Sequence, residues 1–151
     1  MPDMAVIYAS VHHGNTKKLL EGAAAGSDID LISADKAANT DFSKYKAVGF
    51  ASGIYMSKFH KSLKKFLDGS PHLPQKTFII YTSGSGSEKY ADAFIKHLSG
   101  LGLEILGIYQ CKGYDTYGPF KIIGGIAKGH PDMEDIEKCA DFLKNTVQSQ
   151  L

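Results

Sequence analysis

Met4-Ala5-Val6-Ile7-Tyr8-Ala9, running straight into Ser10-Val11-His12-His13-Gly14-Asn15-Thr16, sets the reading of the whole chain. A continuous apolar run of this length marks a strand buried on both faces. From Thr16 to Ala25, Leu19, Leu20, Ala23 and Ala24 fall on one side, with Lys17, Lys18 and Glu21 elsewhere. That is the spacing of an amphipathic helix. Buried strand, small polar turn and helix together open a parallel α/β unit.

Working outward, the alternation recurs. Ile29, Leu31 and Ile32 suggest a second strand, and Ala47 to Ala51 a third that ends in Ser52-Gly53. Phe59, Leu63, Phe66 and Leu67 then stand at helical spacing. Thr77 to Tyr81 reads as the fourth strand, and Tyr90, Phe94, Ile95 and Leu98 as the helix after it, closed by Gly100. Leu103 to Tyr109 is the fifth strand. The last helix opens near Pro131, a favoured first helical position, with Ile136, Cys139, Ala140, Leu143 and Val147 on its apolar face. The stretch from Ala34 to Tyr45 is the least legible, although Asp41 suits the cap of a short helical turn. The expected architecture is α/β: a doubly wound, five-stranded parallel sheet with helices on both faces, a three-layer sandwich in one domain over residues 1–151.

Composition narrows the function. Of 151 residues, 43% are hydrophobic and 22% charged, as in ordinary globular proteins. Seventeen basic residues against sixteen acidic ones give a net charge of +1, which argues against a polybasic nucleic-acid surface. No apolar run approaches the roughly 18 residues of a membrane span. The start has no basic segment ahead of its apolar run, so no signal peptide is expected and the cytoplasm is the expected location. Cys111 and Cys139 lie far apart and form no CxxC pair, the pattern of reduced thiols rather than a disulfide or zinc framework.

In folds of this kind, ligands bind outside the carboxyl ends of the strands. The turns after strands one, three and four are all rich in glycine and hydroxyl residues. Backbone N–H groups and the helix dipole make the Ser10–Thr16 turn an anion site. Ser10 and Thr16 add hydroxyls, Asn15 an amide, and Gly14 allows close approach of the backbone. A capping role for Asn15 or Thr16 needs only one such residue, so the density of small polar residues favours phosphate. The P-loop pattern GxxxxGK[ST] is absent. So is GxGxxG, since Lys89 stands where the third glycine would follow Gly84 and Gly86.

Taken in order, these turns resemble those of the flavodoxin family over nearly the whole chain. Strand, Ser-x-His-x-Gly-Asn-Thr and helix is similar to that family's phosphate loop for flavin mononucleotide (FMN). Ser52-Gly-Ile-Tyr55 with Lys58-Phe-His60, and Thr82-Ser-Gly-Ser-Gly86, resemble its two ring-flanking loops. Gly113-Tyr-Asp, and Gly129-His-Pro131 before a helix, resemble a recurrent ending. The resemblance implies that Ser10, His12, His13, Gly14, Asn15 and Thr16 hold the phosphate. Ser52, Gly53, Ile54 and Tyr55 would line one edge of the ring, and Thr82, Ser83, Gly84, Ser85 and Gly86 the other. Gly53 would supply the backbone freedom for a peptide that reorients with the flavin's redox state. Two features depart from the family: the first turn is one residue longer, with His12 and His13 where a hydroxyl residue stands, and the loop after strand four lacks an aromatic.

The resemblance implies electron transfer or oxidoreduction with FMN, in company with a redox partner protein or a small-molecule acceptor. The flavin supplies the chemistry, so no separate acid, base or nucleophile is expected. A non-catalytic flavin- or phosphate-binding module is the alternative. A signalling receiver domain shares the sheet order but needs acidic residues after strands one and three, where Ala9-Ser10 and Ser52-Gly53 stand. The segment from Gly113 to His130 carries glycines at 113, 118, 124, 125 and 129 and has the length of a functional loop. Its Tyr114, Tyr117 and Phe120 suit either a lid over a ligand or hydrophobic pins. For the cysteines, a thiol count on denatured, unreduced protein is expected to recover both, whereas recovery of neither would overturn the reduced-thiol reading and the compartment with it.

Overall fold

Strands that are apolar on both faces must be covered on both faces, and chain connectivity then dictates which helix covers which. In the computed structural model, which describes residues 2–10, 14–113 and 129–151, six strands and four α-helices carry out that requirement. The strands are β1 (Met4–Ala9), β2 (Ile29–Ser33), β3 (Ala47–Tyr55), β4 (Lys58–Phe59), β5 (Lys76–Ser83) and β6 (Glu104–Lys112). The helices are α1 (Asn15–Ala24), α2 (Lys61–Asp68), α3 (Asp92–Gly100) and α4 (Met133–Asp141).

Five strands pair in parallel in the order β2-β1-β3-β5-β6, and β4 pairs antiparallel with β3. The expected doubly wound sheet is therefore present, with one short strand added. On one face α1, α4 and the helical turn that continues α4 pack over Val6, Phe78 and Ile80 through Leu19, Leu20, Cys139 and Phe142. On the other, α2 and α3 pack over Ile7, Phe50 and Ile79 through Leu63, Phe66, Phe94 and Leu98. Both cysteines are free and buried. Among the described residues, no helix is long and apolar enough to cross a membrane.

Several boundaries differ from expectation, each for a local reason. β3 continues past Ser52-Gly53 to Tyr55 and returns through a two-residue turn, because Met56 and Ser57 both adopt positive φ, at 50° and 65°. Two such residues give the turn whose twist matches paired strands. Phe59, expected on the helix face, is in β4, and the helix starts only at Lys61. β6 runs on to Lys112, because Gln110, Cys111 and Lys112 pair with Tyr81, Thr82 and Ser83. α4 begins two residues beyond Pro131, where Asp132 and Asp135 form a reciprocal capping box. At the β6 edge, Gln150 Nε2 donates to the Leu106 carbonyl at 3.3 Å, and Lys76 Nζ donates to the Gln150 carbonyl at 2.6 Å.

The central strand shows why the sheet packs so closely. Ala47, Gly49 and Ala51 alternate along β3 on the α1/α4 face, leaving room above it. Phe78, opposite Gly49 in β5, lays its ring in that room. A Cβ on Gly49 would stand 2.2 Å from the ring. Gly49→Ala is expected to lower stability by about 1–3 kcal/mol, the cost of overfilling a packed core. In urea unfolding of the double-mutant cycle, Gly49→Ala should cost less beside Phe78→Leu than beside Phe78. Additive costs would show that this contact does not determine the glycine.

Candidate functional site

β1 lies between β2 and β3, so the chain leaves it in one direction through α1 and later returns on the other side. The crevice at such a reversal, beyond the carboxyl ends of the strands, is where the loops part and a ligand has room. Here it is bounded by the turn after β1 and the end of β3, since Ala9 and Ser52 are register partners. Gly53 in turn pairs with Thr82 of β5. The three loops singled out from the sequence thus meet on one edge of the sheet.

α1 begins without a side-chain cap. Its N-cap, Gly14, has φ +64°, and a Cβ there would meet nothing within 4 Å. The left-handed backbone favours glycine, and the space beside it is open. No acidic residue stands in the first turn, where Lys17 and Lys18 are exposed. Ser10, at the end of β1, reaches across the turn and accepts the Lys17 N–H at 3.1 Å. Thr16 is buried, and its hydroxyl is bonded to that of Thr82 at 3.0 Å. It fastens the turn to β5 from below. His12 and His13 lie outside the described residues.

Asn15 meets a residue that the sequence reading had placed only at the start of a loop. Gly113 follows β6 directly, and a Cβ there would fall 2.6 Å from Asn15 Nδ2. Its N–H donates to the Ser83 carbonyl at 2.9 Å. Gly113 therefore joins the turn after β1 to the loop after β5. A glycine immediately after a strand that ends at the ligand edge was the available signal. Tyr114, Tyr117 and Phe120 lie outside the described residues.

At the end of β3, Ser52 is fully buried and occupied internally. Its hydroxyl donates to the Gly53 carbonyl at 2.6 Å and accepts the His60 N–H at 2.9 Å, which braces the hairpin. Gly53 does not adopt positive φ. A Cβ there would stand 2.9 Å from the Tyr55 hydroxyl, so the Tyr55 side chain lies close over the glycine. Tyr55 meets His60 edge to face at 5.1 Å between ring centroids, and Ile54 packs on the α2/α3 side of the core.

After β5, Ser83 Oγ accepts the Gly86 N–H at 2.9 Å, and Gly86 turns the chain with φ +76°. Thr82, Ser83 and Gly84 are buried, while Ser85 is exposed. Tyr90, expected on the packed helix face, is half-buried and bonds Ser85 Oγ through its hydroxyl at 2.9 Å. Under this loop, Gln110 Oε1 is buried with no partner among the described residues, and it stands 3.9 Å from where a Gly86 Cβ would be. Buried acceptors are rarely left so.

With this geometry in place, comparison with known proteins is direct. A model of the flavodoxin domain matches residues 5–111. An uncharacterized protein of Methanocaldococcus jannaschii is 39% identical over 146 residues, covering 95% of this chain and 97% of that protein. Among solved structures, a flavodoxin from the domain Archaea has a TM-score of 0.64 at 16% identity, with 97% of this chain and 96% of that one covered. A flavoprotein in complex with FMN from Lactobacillus acidophilus NCFM has a TM-score of 0.57 at 15% identity, with 73% of this chain and 93% of that one covered. Likeness at these structural identities concerns the fold.

His60 holds a position with a measurable pH signature. Its Nδ1 accepts the Ser62 N–H at 3.1 Å and lies 2.8 Å from the Ser62 hydroxyl, capping α2. Only the neutral ring can accept there. Partial burial, and then the neighbouring Lys61, lower its pKa from the ordinary value. The folded value is thus below the unfolded one, about 6.5. The cap's contribution is present above that pH and is lost as pH falls through the depressed value. His60→Asn keeps a capping acceptor that does not titrate. In urea midpoints taken from about pH 8 to about pH 5, its decline should be shallower than that of the unsubstituted chain. Parallel curves would remove His60 from the acid response.

Proposed function

We propose, because this chain belongs to the flavodoxin domain family, that it binds FMN at the carboxyl edge of its sheet and acts in electron transfer. The observation that carries the reading is the start of α1: a helix N-terminus whose N-cap Gly14 offers no side chain, flanked by lysines and set at the reversal between β1 and β3. Such a terminus suits a phosphate dianion through its N–H groups and dipole. Ser10 and Asn15 would hold the phosphate with the Gly14 backbone. Thr16, already bonded to Thr82, would keep the turn in place rather than contact the ligand. His12 and His13 complete the proposed phosphate turn.

Ser52–Tyr55 and Thr82–Gly86 would flank the ring, as the fold family's use of this edge suggests. The unpartnered Gln110 Oε1, close beneath Gly86, fits a site that expects a further donor. FMN, when bound, supplies a ring that takes up and releases electrons. The chain's own part is to fix that ring and restrict access to it. Ser52, buried and doubly bonded, keeps the β3–β4 hairpin from shifting. Tyr55 and His60, in edge contact, give that side an aromatic wall. The proposed electron partner is a redox protein or a small-molecule acceptor, and the proposed location is the cytoplasm.

The test separates phosphate recognition from ring recognition. FMN is expected to bind at least about tenfold more tightly than riboflavin, the scale of one or two charge-assisted hydrogen bonds. Ser10→Ala with Asn15→Ala should narrow that preference while leaving riboflavin affinity nearly unchanged. Fluorescence titration of both flavins against both chains reads the result. Equal affinity for the two flavins in the unsubstituted chain would overturn the proposal.

A further inference from the structure

Between α2 and α3 lies an open cavity of about 510 Å³ that shares Lys58, Phe59 and His60 with the β3–β4 hairpin and takes the rest of its lining from α2, α3 and the turn before α3. Its floor is aromatic. Phe59 of β4 and Phe94 of α3 are stacked with centroids 4.9 Å apart and planes inclined by 24°, and Tyr90 stands beside them. Its rim is cationic, carrying Lys58, Lys64 and Lys96, with His60 and His97 between them, and no carboxylate lines it. Asp68, just beyond, pairs with Lys64 at 3.0 Å and stands 4.0 Å from His97. Among the described residues, Lys58 and Lys96 have no carboxylate within ion-pair distance.

We propose that this groove is a binding site for a planar aromatic anion. The volume is that of a small-molecule pocket, which ranges over roughly 300–1,000 Å³. Aromatic side chains offer a face on which a planar ring stacks or meets an edge. Two lysines without counter-charges, Lys58 on β4 and Lys96 on α3, supply what a carboxylate, sulfonate or phosphate on that ring would need. A cationic ligand is disfavoured by the same rim. The walls also tie the groove to the ligand edge of the sheet. Phe59 pairs in register with Ile54, and the Tyr90 hydroxyl bonds Ser85. An occupant therefore rests against the outer side of both loops that flank the proposed flavin ring. The site itself needs no flavin in order to be tested.

An amide NMR titration of the full chain with naphthoate decides the matter, with naphthamide as the uncharged match. Naphthoate is expected to move the resonances of Phe59, Tyr90, Ala93 and Phe94 and to bind about tenfold more tightly than naphthamide, the scale of one charge-assisted contact. The double substitution Lys58→Gln, Lys96→Gln should erase that preference. Ala93 lines the groove and is exposed, so Ala93→Trp should fill the cavity and abolish naphthoate binding without disturbing the core. Equal binding of the charged and uncharged probes would overturn the proposal. So would shifts confined to Ser10 and Gly14–Thr16, unchanged affinity in Ala93→Trp, or equally tight binding of hexaglutamate, which would make the groove a mere cationic patch. An FMN titration of the same chains reports the flavin site separately. Its failure would count against the flavin reading and leave the naphthoate result standing.

Discussion

Two hydroxyls, Thr16 and Thr82, meet in the interior at 3.0 Å, from positions 66 residues apart. Neither is exposed to water, so each needs the other as its partner. Replacing one alone would leave a buried hydroxyl unsatisfied, at a cost of about 1–3 kcal/mol. What the pair secures is position. It sets the first turn of α1 on the end of β5, so that the helix N-terminus cannot drift relative to the loop at 82–86. Gly113 adds a second fastening from β6 by donating to the Ser83 carbonyl, and Asn15 packs close against it. A site assembled from four strand ends is thereby held by short contacts beneath it, before any ligand arrives. Preorganisation of that kind lowers what binding must spend on ordering loops.

A net charge of +1 conceals a marked local distribution. Lys17 and Lys18 gather at the start of α1, and residues 58–65 carry four lysines and a histidine without an acid. Both groups border the ligand edge. Burial acts in the opposite sense on the thiols: it pushes Cys139 up to about 12 and raises Cys111 as well. Neither cysteine is therefore poised for nucleophilic or redox chemistry.

What the sequence disclosed follows the range of the forces involved. The strand at Met4–Ala9 and the helix after it rest on local periodicity, and they appear almost where expected. The sheet order followed from connectivity. The β3–β4 hairpin was invisible because its turn uses Met56 and Ser57 at positive φ, where Asn or Gly would have announced it. Phe59 accordingly passed for a helical residue. Gly53 was legible as special, but no periodicity reveals that the Tyr55 hydroxyl approaches it. Thr16 was read from the sequence as a hydroxyl of the phosphate turn. That its hydroxyl turns inward to Thr82 depends on a pairing set by the tertiary fold alone.

The contacts of Gln150 have a meaning for life in a crowded solution. Among the described residues β6 is the last strand of its sheet, with Ile108 exposed, and an edge strand is a template for a neighbouring chain. Gln150 occupies the Leu106 carbonyl with its own amide, while Lys76 tethers its backbone. One acceptor in the middle of the edge is thus spoken for, and an incoming strand cannot complete its ladder there. The short segment at 148–150 thus puts a side-chain amide where a neighbouring strand would need a free carbonyl.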